Sequence, residues 1–271
     1  MLENLIIRPE TPADYHATEL MTMRSFWNKY RPGCTEHLMV RIIRSSRDYL
    51  PELSRVAEWN GRIVGAVFYT RAWIVNGEEK REVVTFGPLA VEPMLEGNDI
   101  GGALLRETIR LAKDAGAPGV VIAGEPYYYP RFGFERCAKY GITDTEGNTW
   151  DAYMCLPLND DFSTVKGKLT ESADFDKLED PALLAAISRE FPAYRKVQVQ
   201  EGFLQIHAQH LGVVEAVEGD VYQVRYWEQL IPAGLSDSVH EKPAPGSDVQ
   251  FSWNRGGGSL ITKVFRNMLE S

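Results

Sequence analysis

The chain has 271 residues and a formal net charge of -9, with 44% hydrophobic and 25% charged residues. That is globular composition, and the negative balance disfavours a non-specific polyphosphate partner such as DNA. Cys34, Cys137 and Cys155 are odd in number and far apart, which argues against a disulfide framework or a zinc site and for a reducing compartment. The opening MLENLIIRPE lacks a basic segment ahead of a long apolar core, and no run approaches membrane-spanning length. The expectation is a cytoplasmic protein without a membrane partner.

Residues 5–8 read as a short strand ended by Pro9. Thr11 as N-cap, Pro12 at the first helical position and Asp14 closing a capping box predict a helix to about Trp27. Its Leu20, Met23 and Trp27 fall on one face. Pro32-Gly33 breaks the chain, and a second amphipathic helix follows Thr35 with Leu38, Ile42 and Ile43 inward. Two strands, 53–59 and 62–74, are joined by Asn60-Gly61, a strong hairpin signal. Asn76-Gly77 turns the chain into a third strand over 81–91. A bulge or splay is expected near Gly87-Pro88, because proline cannot donate to a ladder.

After that strand come a Glu/Gly/Asn/Asp loop and a helix opening near Ile100. A strand, a Gly-bearing loop and a helix N-terminus in this order suit a phosphate-bearing ligand, since the first-turn N–H groups lack intrahelical partners and the helix dipole favours an anion. Neither GxxxxGK[ST] nor GxGxxG is present. The helix carries Ala103, Leu104, Thr108, Leu111 and Ala112 on one stripe and ends at Gly116. The apolar run 119–123 is read as a buried strand parallel to the third, reached by a right-handed crossover. The run GEPYYYPRFGF (124–134) follows, and 150–156 is read as a closing strand.

Residues 85–102, TFGPLAVEPMLEGNDIGG, resemble the acyl-CoA loop of the GNAT-type N-acetyltransferases. Leu89, Ala90, Val91, Glu92 and Pro93 match that family's strand end. Glu96, Gly97, Asn98, Asp99, Ile100, Gly101 and Gly102 fall on its loop and helix start. Glu96 stands where Gln or Arg is usual, and Asp99 where Gly is usual. Both add negative charge, although Asp tolerates left-handed dihedrals. GEPYYYPRFGF is similar to the GDPxYYxRFGF run of one bacterial subgroup. The resemblance implies an α+β, GNAT-like fold: a mixed, mostly antiparallel sheet with a splayed central strand pair and flanking helices. It implies acetyl-CoA as co-substrate, no metal, and cofactor-binding residues Leu89, Ala90, Val91 and 96–102. It makes Tyr129 the acid that protonates the departing thiolate, with Tyr127 and Tyr128 assigned to packing. A phenol of pKa about 10 can donate to a thiolate whose acid lies near about 8.5. For a general base Thr85 cannot serve directly, while Glu82 and Glu125 are carboxylates within the right region. Trp27, Tyr30 and His37 are substrate-side candidates, although each has an ordinary core or surface reading.

The resemblance covers residues 1–157, assigned as an acetyltransferase domain. Residues 158–199 are read as a linker, with a strand considered in its acidic part 159–180 and a short helix over 181–191, and 200–271 as a small β-rich domain, barrel or open sheet. Its expected strands are 212–217, 221–227 and 249–253. Five Lys/Arg against nine Asp/Glu in 201–271 give a net of -4, without the basic footprint of a nucleic-acid binder. Gly256-Gly257-Gly258 is read as a turn, and His207 and His210 are not assigned to a metal. The expected function is transfer of an acetyl group to an amine of a small molecule or peptide by direct attack, with homodimerisation open. The alternative is a non-catalytic CoA-binding or scaffold protein, which Glu96 and Asp99 would favour.

Overall fold

A computed structural model describes residues 2–194, 196, 209–253 and 258–265. It divides into two compact units, Met1–Phe26 with Thr35–Ala193, and Trp27–Cys34 with Tyr194–Ser271.

The first unit runs β1 (Ile6–Arg8), a 3-10 turn (Pro12–Asp14), α1 (Tyr15–Phe26), α2 (Glu36–Ser45), β2 (Arg55–Trp59), β3 (Arg62–Asn76) and β4 (Glu79–Val91). It continues with α3 (Ile100–Asp114), β5 (Gly119–Ala123), β6 (Glu135–Arg136), β7 (Ile142–Thr143), β8 (Tyr153–Pro157), β9 (Gly167–Thr170) and α4 (Pro181–Ser188). The capping box at Thr11 forms: its N–H donates to Asp14 Oδ2 at 2.8 Å. The β2–β3 hairpin turns through Asn60 and Gly61, both at positive φ (51° and 74°), as a two-residue turn of matching twist requires.

The sheet order is β1-β2-β3-β4-β5-β8-β6. Pairings along it are antiparallel except β4–β5. β3 outruns β2, and Trp73, Ile74 and Val75 at its far end take β9 as an antiparallel neighbour. Alternation along β3 sends Val67 and Tyr69 to one face and Ala66 and Phe68 to the other. The first pair joins Ile100, Leu104 and Leu105 of α3 in one core. The second pair joins Met21 of α1 with Val40 and Ile43 of α2 in another. α3 therefore covers one face, and α1 with α2 the other. The Tyr69 hydroxyl, fully buried, meets Thr108 Oγ1 of α3 at 3.0 Å, so the one polar tip in that core is satisfied locally.

Two expectations change here. α1 does not present Leu20 and Trp27 to the core: its buried side includes Thr18, Glu19, Thr22 and Arg24, while Leu20 is half-buried and Trp27 lies past the helix end. The span expected as a linker is, as far as Ala193, part of the first unit. β9 pairs with β3 and β7, and Phe162 fills the space left by the missing side chain of Gly119, where a Cβ would stand 2.2 Å from its ring.

The second unit holds β10 (Gln209–Glu218), β11 (Val221–Tyr226), β12 (Gln229–Leu235), β13 (Asp248–Ser252) and β14 (Ser259–Phe265). They close into a barrel in the order β10-β11-β12-β14-β13, with β12–β14 parallel. Val214, Tyr222, Val224, Ile231, Val249, Phe251 and Ile261 are buried within it. The expected strands form, and β12 and β14 add to them. His210 Nδ1 lies 3.0 Å from the Tyr226 hydroxyl. His207, Gly256 and Gly257 lie outside the described residues. Among the described residues, no helix is long and apolar enough to cross a membrane.

Candidate active site

The site begins where β4 leaves β5. The two strands meet in the ladder at Val84 and Val120, and beyond that point they diverge. On its other edge β4 stays paired with β3, but Val67 opposes Leu89 while Tyr69 opposes Phe86. β4 thus sets two residues, Gly87 and Pro88, against one, Phe68, which makes a bulge. Past the bulge, the Glu92 N–H donates to Val64 O at 2.9 Å, toward β3. Alternation then aims the Leu89 and Val91 amides the opposite way, into the opening. The Val91 N–H meets Ser25 Oγ of α1 at 3.3 Å.

The loop after β4 is a 3-10 turn, Pro93–Leu95, closed by Asn98, whose side-chain amide donates to Leu95 O at 2.9 Å. Gly97 and Asp99 both take positive φ, 79° and 64°. Asp99 is the N-cap of α3 in a left-handed conformation. Its carboxylate does not cap the helix; it lies over Gly102 and pairs with Arg106 one helical segment on, at 2.5 Å. The N–H groups of Ile100, Gly101 and Gly102 open the helix and have no preceding turn to bond with. Gly101 is required by a neighbour: a Cβ there would sit 2.7 Å from the Tyr128 hydroxyl.

Tyr128 and Tyr129 come from the turn after β5. The Glu125 carbonyl accepts the Tyr128 N–H at 2.9 Å and the Tyr129 N–H at 3.4 Å, which opens a 3-10 helix over Tyr129–Phe132. The Tyr129 ring packs on Gly124, where a Cβ would stand 2.3 Å from it. Its centroid is 5.8 Å from Phe86, 5.6 Å from Phe134 and 5.1 Å from Tyr128. Phe86 is on β4 and Gly124 follows β5, so the ring stands across the opening between the diverging strands. Burial, ahead of nearby charges, pushes the Tyr128 phenol upward. Tyr127, expected to pack, is 71% exposed instead.

A family model described as "Acetyltransferase (GNAT) family" matches residues 20–134, from within α1 to the last residue of the RFGF run. The chain carries a GNAT acetyltransferase domain. Among its relatives, the uncharacterized N-acetyltransferase YjhQ of Escherichia coli K12 is 38% identical over 88 residues, 32% of this chain and 49% of that protein. The alignment thus spans about half the length of YjhQ. The uncharacterized N-acetyltransferase YhbS of E. coli K12 is 29% identical over 158 residues, 58% of this chain and 89% of that one. A GNAT-family acetyltransferase from Brucella melitensis, solved with acetyl-CoA, superposes with a TM-score of 0.52 at 27% identity, covering 65% of this chain and 100% of that one. YhbS of E. coli, solved with CoA, gives 0.57 at 26% identity over 64% and 92%.

Within the GNAT domain, residues 89–91, 96–102 and Tyr129 lie along the strand divergence and the start of α3, although the Ala90 side chain is buried in the α1–α2 core. The other sequence candidates lie elsewhere. His37 is fully buried, edge-on to Phe191 at 5.5 Å, and desolvation lowers its pKa to about 4, so it is a neutral core imidazole. Trp27 and Tyr30 belong to the second unit, where Trp27 stacks edge-on with Tyr194 at 5.7 Å. Glu82 is exposed beside Arg71 at 3.5 Å and precedes the divergence at Val84. Thr85 is buried. Sequence reading passed over Glu92 and Ser25. Glu92 is buried and paired with buried Arg24 at 2.8 Å, and Ser25 holds the Val91 amide, so both join the end of α1 to the end of β4. The Glu-Pro pair at 92–93 marked the place, but its partner lies 68 residues earlier in the chain.

Proposed function

We propose that the protein is an acetyl-CoA-dependent N-acetyltransferase acting on an amine of a small molecule or peptide. The observation that carries this reading is the Tyr129 ring standing across the opening into which the Leu89 amide points. Support also comes from the two relatives solved with acetyl-CoA and CoA. In this reading the pantetheine arm lies along 89–91, with the pyrophosphate over the amides of 97–102, where the helix dipole favours an anion.

The acceptor nitrogen attacks the thioester carbonyl carbon. As the C–N bond forms, negative charge grows on the carbonyl oxygen, and the Leu89 N–H is directed to take it. The C–S bond then breaks with its electron pair on sulfur. The Tyr129 hydroxyl donates its proton to that thiolate and recovers one from solvent, while the acylated nitrogen loses its proton to water or a carboxylate. Glu125, in the turn that carries Tyr129, is one of the two carboxylates considered for that last step. The Asp99–Arg106 pair removes part of the argument for a non-catalytic scaffold, because one of the two acidic loop residues is already offset.

The test is Tyr129→Phe, which keeps the ring and its contacts with Phe86, Phe134 and Gly124. CoA affinity should hold, and CoA release with a panel of small amines, aminoglycosides and peptide N-termini should slow by a factor on the order of 10². Full turnover in this variant would remove Tyr129 from the mechanism. Tight CoA binding by the wild type without thiol release on any amine would favour the scaffold.

A further inference from the structure

The turn that carries Tyr129 also carries an arginine whose placement the acyl-transfer chemistry does not use. Arg131 folds back along its own turn: its Nε donates to the Tyr128 carbonyl at 2.9 Å. Its guanidinium lies over the Tyr128 ring, 4.4 Å from the centroid. A bond through Nε and a stack on a ring fix the plane of the group, and they leave its terminal N–H edge for another partner. The side chain is exposed, and among the described residues no carboxylate pairs with it. The same Tyr128 reaches the other way to Gly101, where only the absence of a Cβ admits its hydroxyl. One aromatic side chain therefore joins Arg131 to the first turn of α3. Across that turn Arg106 already offsets Asp99. Arg131, Arg106 and Asp99 all act electrostatically on the Tyr128 phenol, which places the three charges around one ring.

We propose that Arg131, held over the Tyr128 ring, binds a phosphate of CoA and supplies the cation that Glu96 does not. The proposal rests on the acetyl-CoA reading above. Its chemistry is a planar, always-charged fork facing phosphate oxygens beside a helix N-terminus, a site in a chain whose net charge of -9 gives no general attraction for a polyanion. Tyr128 acts here as a positioning residue: its ring sets the guanidinium and its hydroxyl keeps the ring on α3.

The experiment is calorimetry on the full chain with CoA, dephospho-CoA and, by competition, pantetheine. Arg131→Gln should weaken CoA about tenfold and leave pantetheine unchanged. Arg131→Lys should recover part of the loss, since it restores charge without the fork. A penalty that disappears with dephospho-CoA assigns the ribose 3′-phosphate, and one that persists assigns the pyrophosphate. Unchanged CoA affinity in Arg131→Gln overturns the inference and leaves the acetyl-CoA reading standing. An equal loss for pantetheine also overturns it, because the role is then packing. Wild-type protein that binds no CoA overturns the acetyl-CoA reading, and this inference with it.

Discussion

The two faces of the central sheet are covered by different physics. On the α3 side, Ile100, Leu104, Leu105 and Ala112 meet Val67, Tyr69, Phe86 and Val120, an apolar contact with one internal hydroxyl pair. On the α1–α2 side, apolar residues share the interface with charges. Glu19, 2% exposed, lies between Arg41, at 2.5 Å, and Arg44, and Arg44 also reaches Glu10 at 2.7 Å. Arg44 further stacks over Tyr15 at 4.2 Å. Burying apolar surface is non-directional, so the α3 face depends on shape and volume more than on any one pairing. A buried ion network requires each partner, and a missing one leaves a charge uncompensated. The opening between β4 and β5 lies between these regimes: its loop and α3 belong to the apolar side, and its Ser25–Val91 and Arg24–Glu92 ties belong to the charged side.

That contrast can be broken in steps. Leu104→Ala, at a fully buried position against Gly65, should cost about 2.7–5 kcal/mol in chemical denaturation. The loss should be the same in low and high salt. Glu19→Ala should cost about 3 kcal/mol, at the low end for a broken buried network because Glu10 still holds Arg44. If Glu19→Ala were neutral, the charged face would owe its stability to its apolar residues alone.

His37 gives a smaller, pH-dependent effect. Its folded pKa is about 4, below its ordinary 6.5, because burial disfavours the charged form. Between those values the unfolded chain binds the proton and the folded one does not, so stability falls as pH drops from about 6.5 to about 4. The slope is at most about 1.4 kcal/mol per pH unit. His37→Leu should flatten the unfolding free energy over that window, and an unchanged slope would assign the dependence to other groups. Smallest is Gly102→Ala. The new methyl displaces the Asp99 carboxylate, but both partners of the Asp99–Arg106 pair are about half exposed. Thermal melting should register less than about 1 kcal/mol.

What the sequence made legible follows the same division. α2 and α3 announced themselves by spacing, because their buried faces are apolar. The Asn60-Gly61 hairpin was legible because a positive φ at both positions selects those residues. The buried face of α1 was not, since Glu19 and Arg24 read as surface charges until Arg41, Arg44 and Glu92 arrive from distant segments. A strand within 159–180 was expected but β9 could not be placed in it, for a related reason: GKLT is too short to show alternation, and its partner on β3 is nearly a hundred residues away. β12 contains Pro232 and Gly234, which read as breakers; Pro232 pairs with Gln223 of β11 just before the β14 ladder begins at Ala233, and Gly234 lies opposite Leu260. At the site, the loop and Tyr129 were carried by motif. The stacking of Arg131 on Tyr128 and the fit of that ring over Gly101 were not, because both depend on how a turn after β5 meets a helix before it.

The barrel order has a consequence for synthesis. β14 is the last of the described strands, yet it sits between β12 and β13 and pairs with both. Until it emerges from the ribosome, β12 and β13 each present an open edge, and the apolar interior cannot close. Edges of that kind template pairing with other chains. The first unit can acquire its sheet well before this point, whereas the barrel of the second must wait for β14. Folding of the nascent chain should therefore proceed in two separated stages, and the interval between them is when the protein most needs a chaperone.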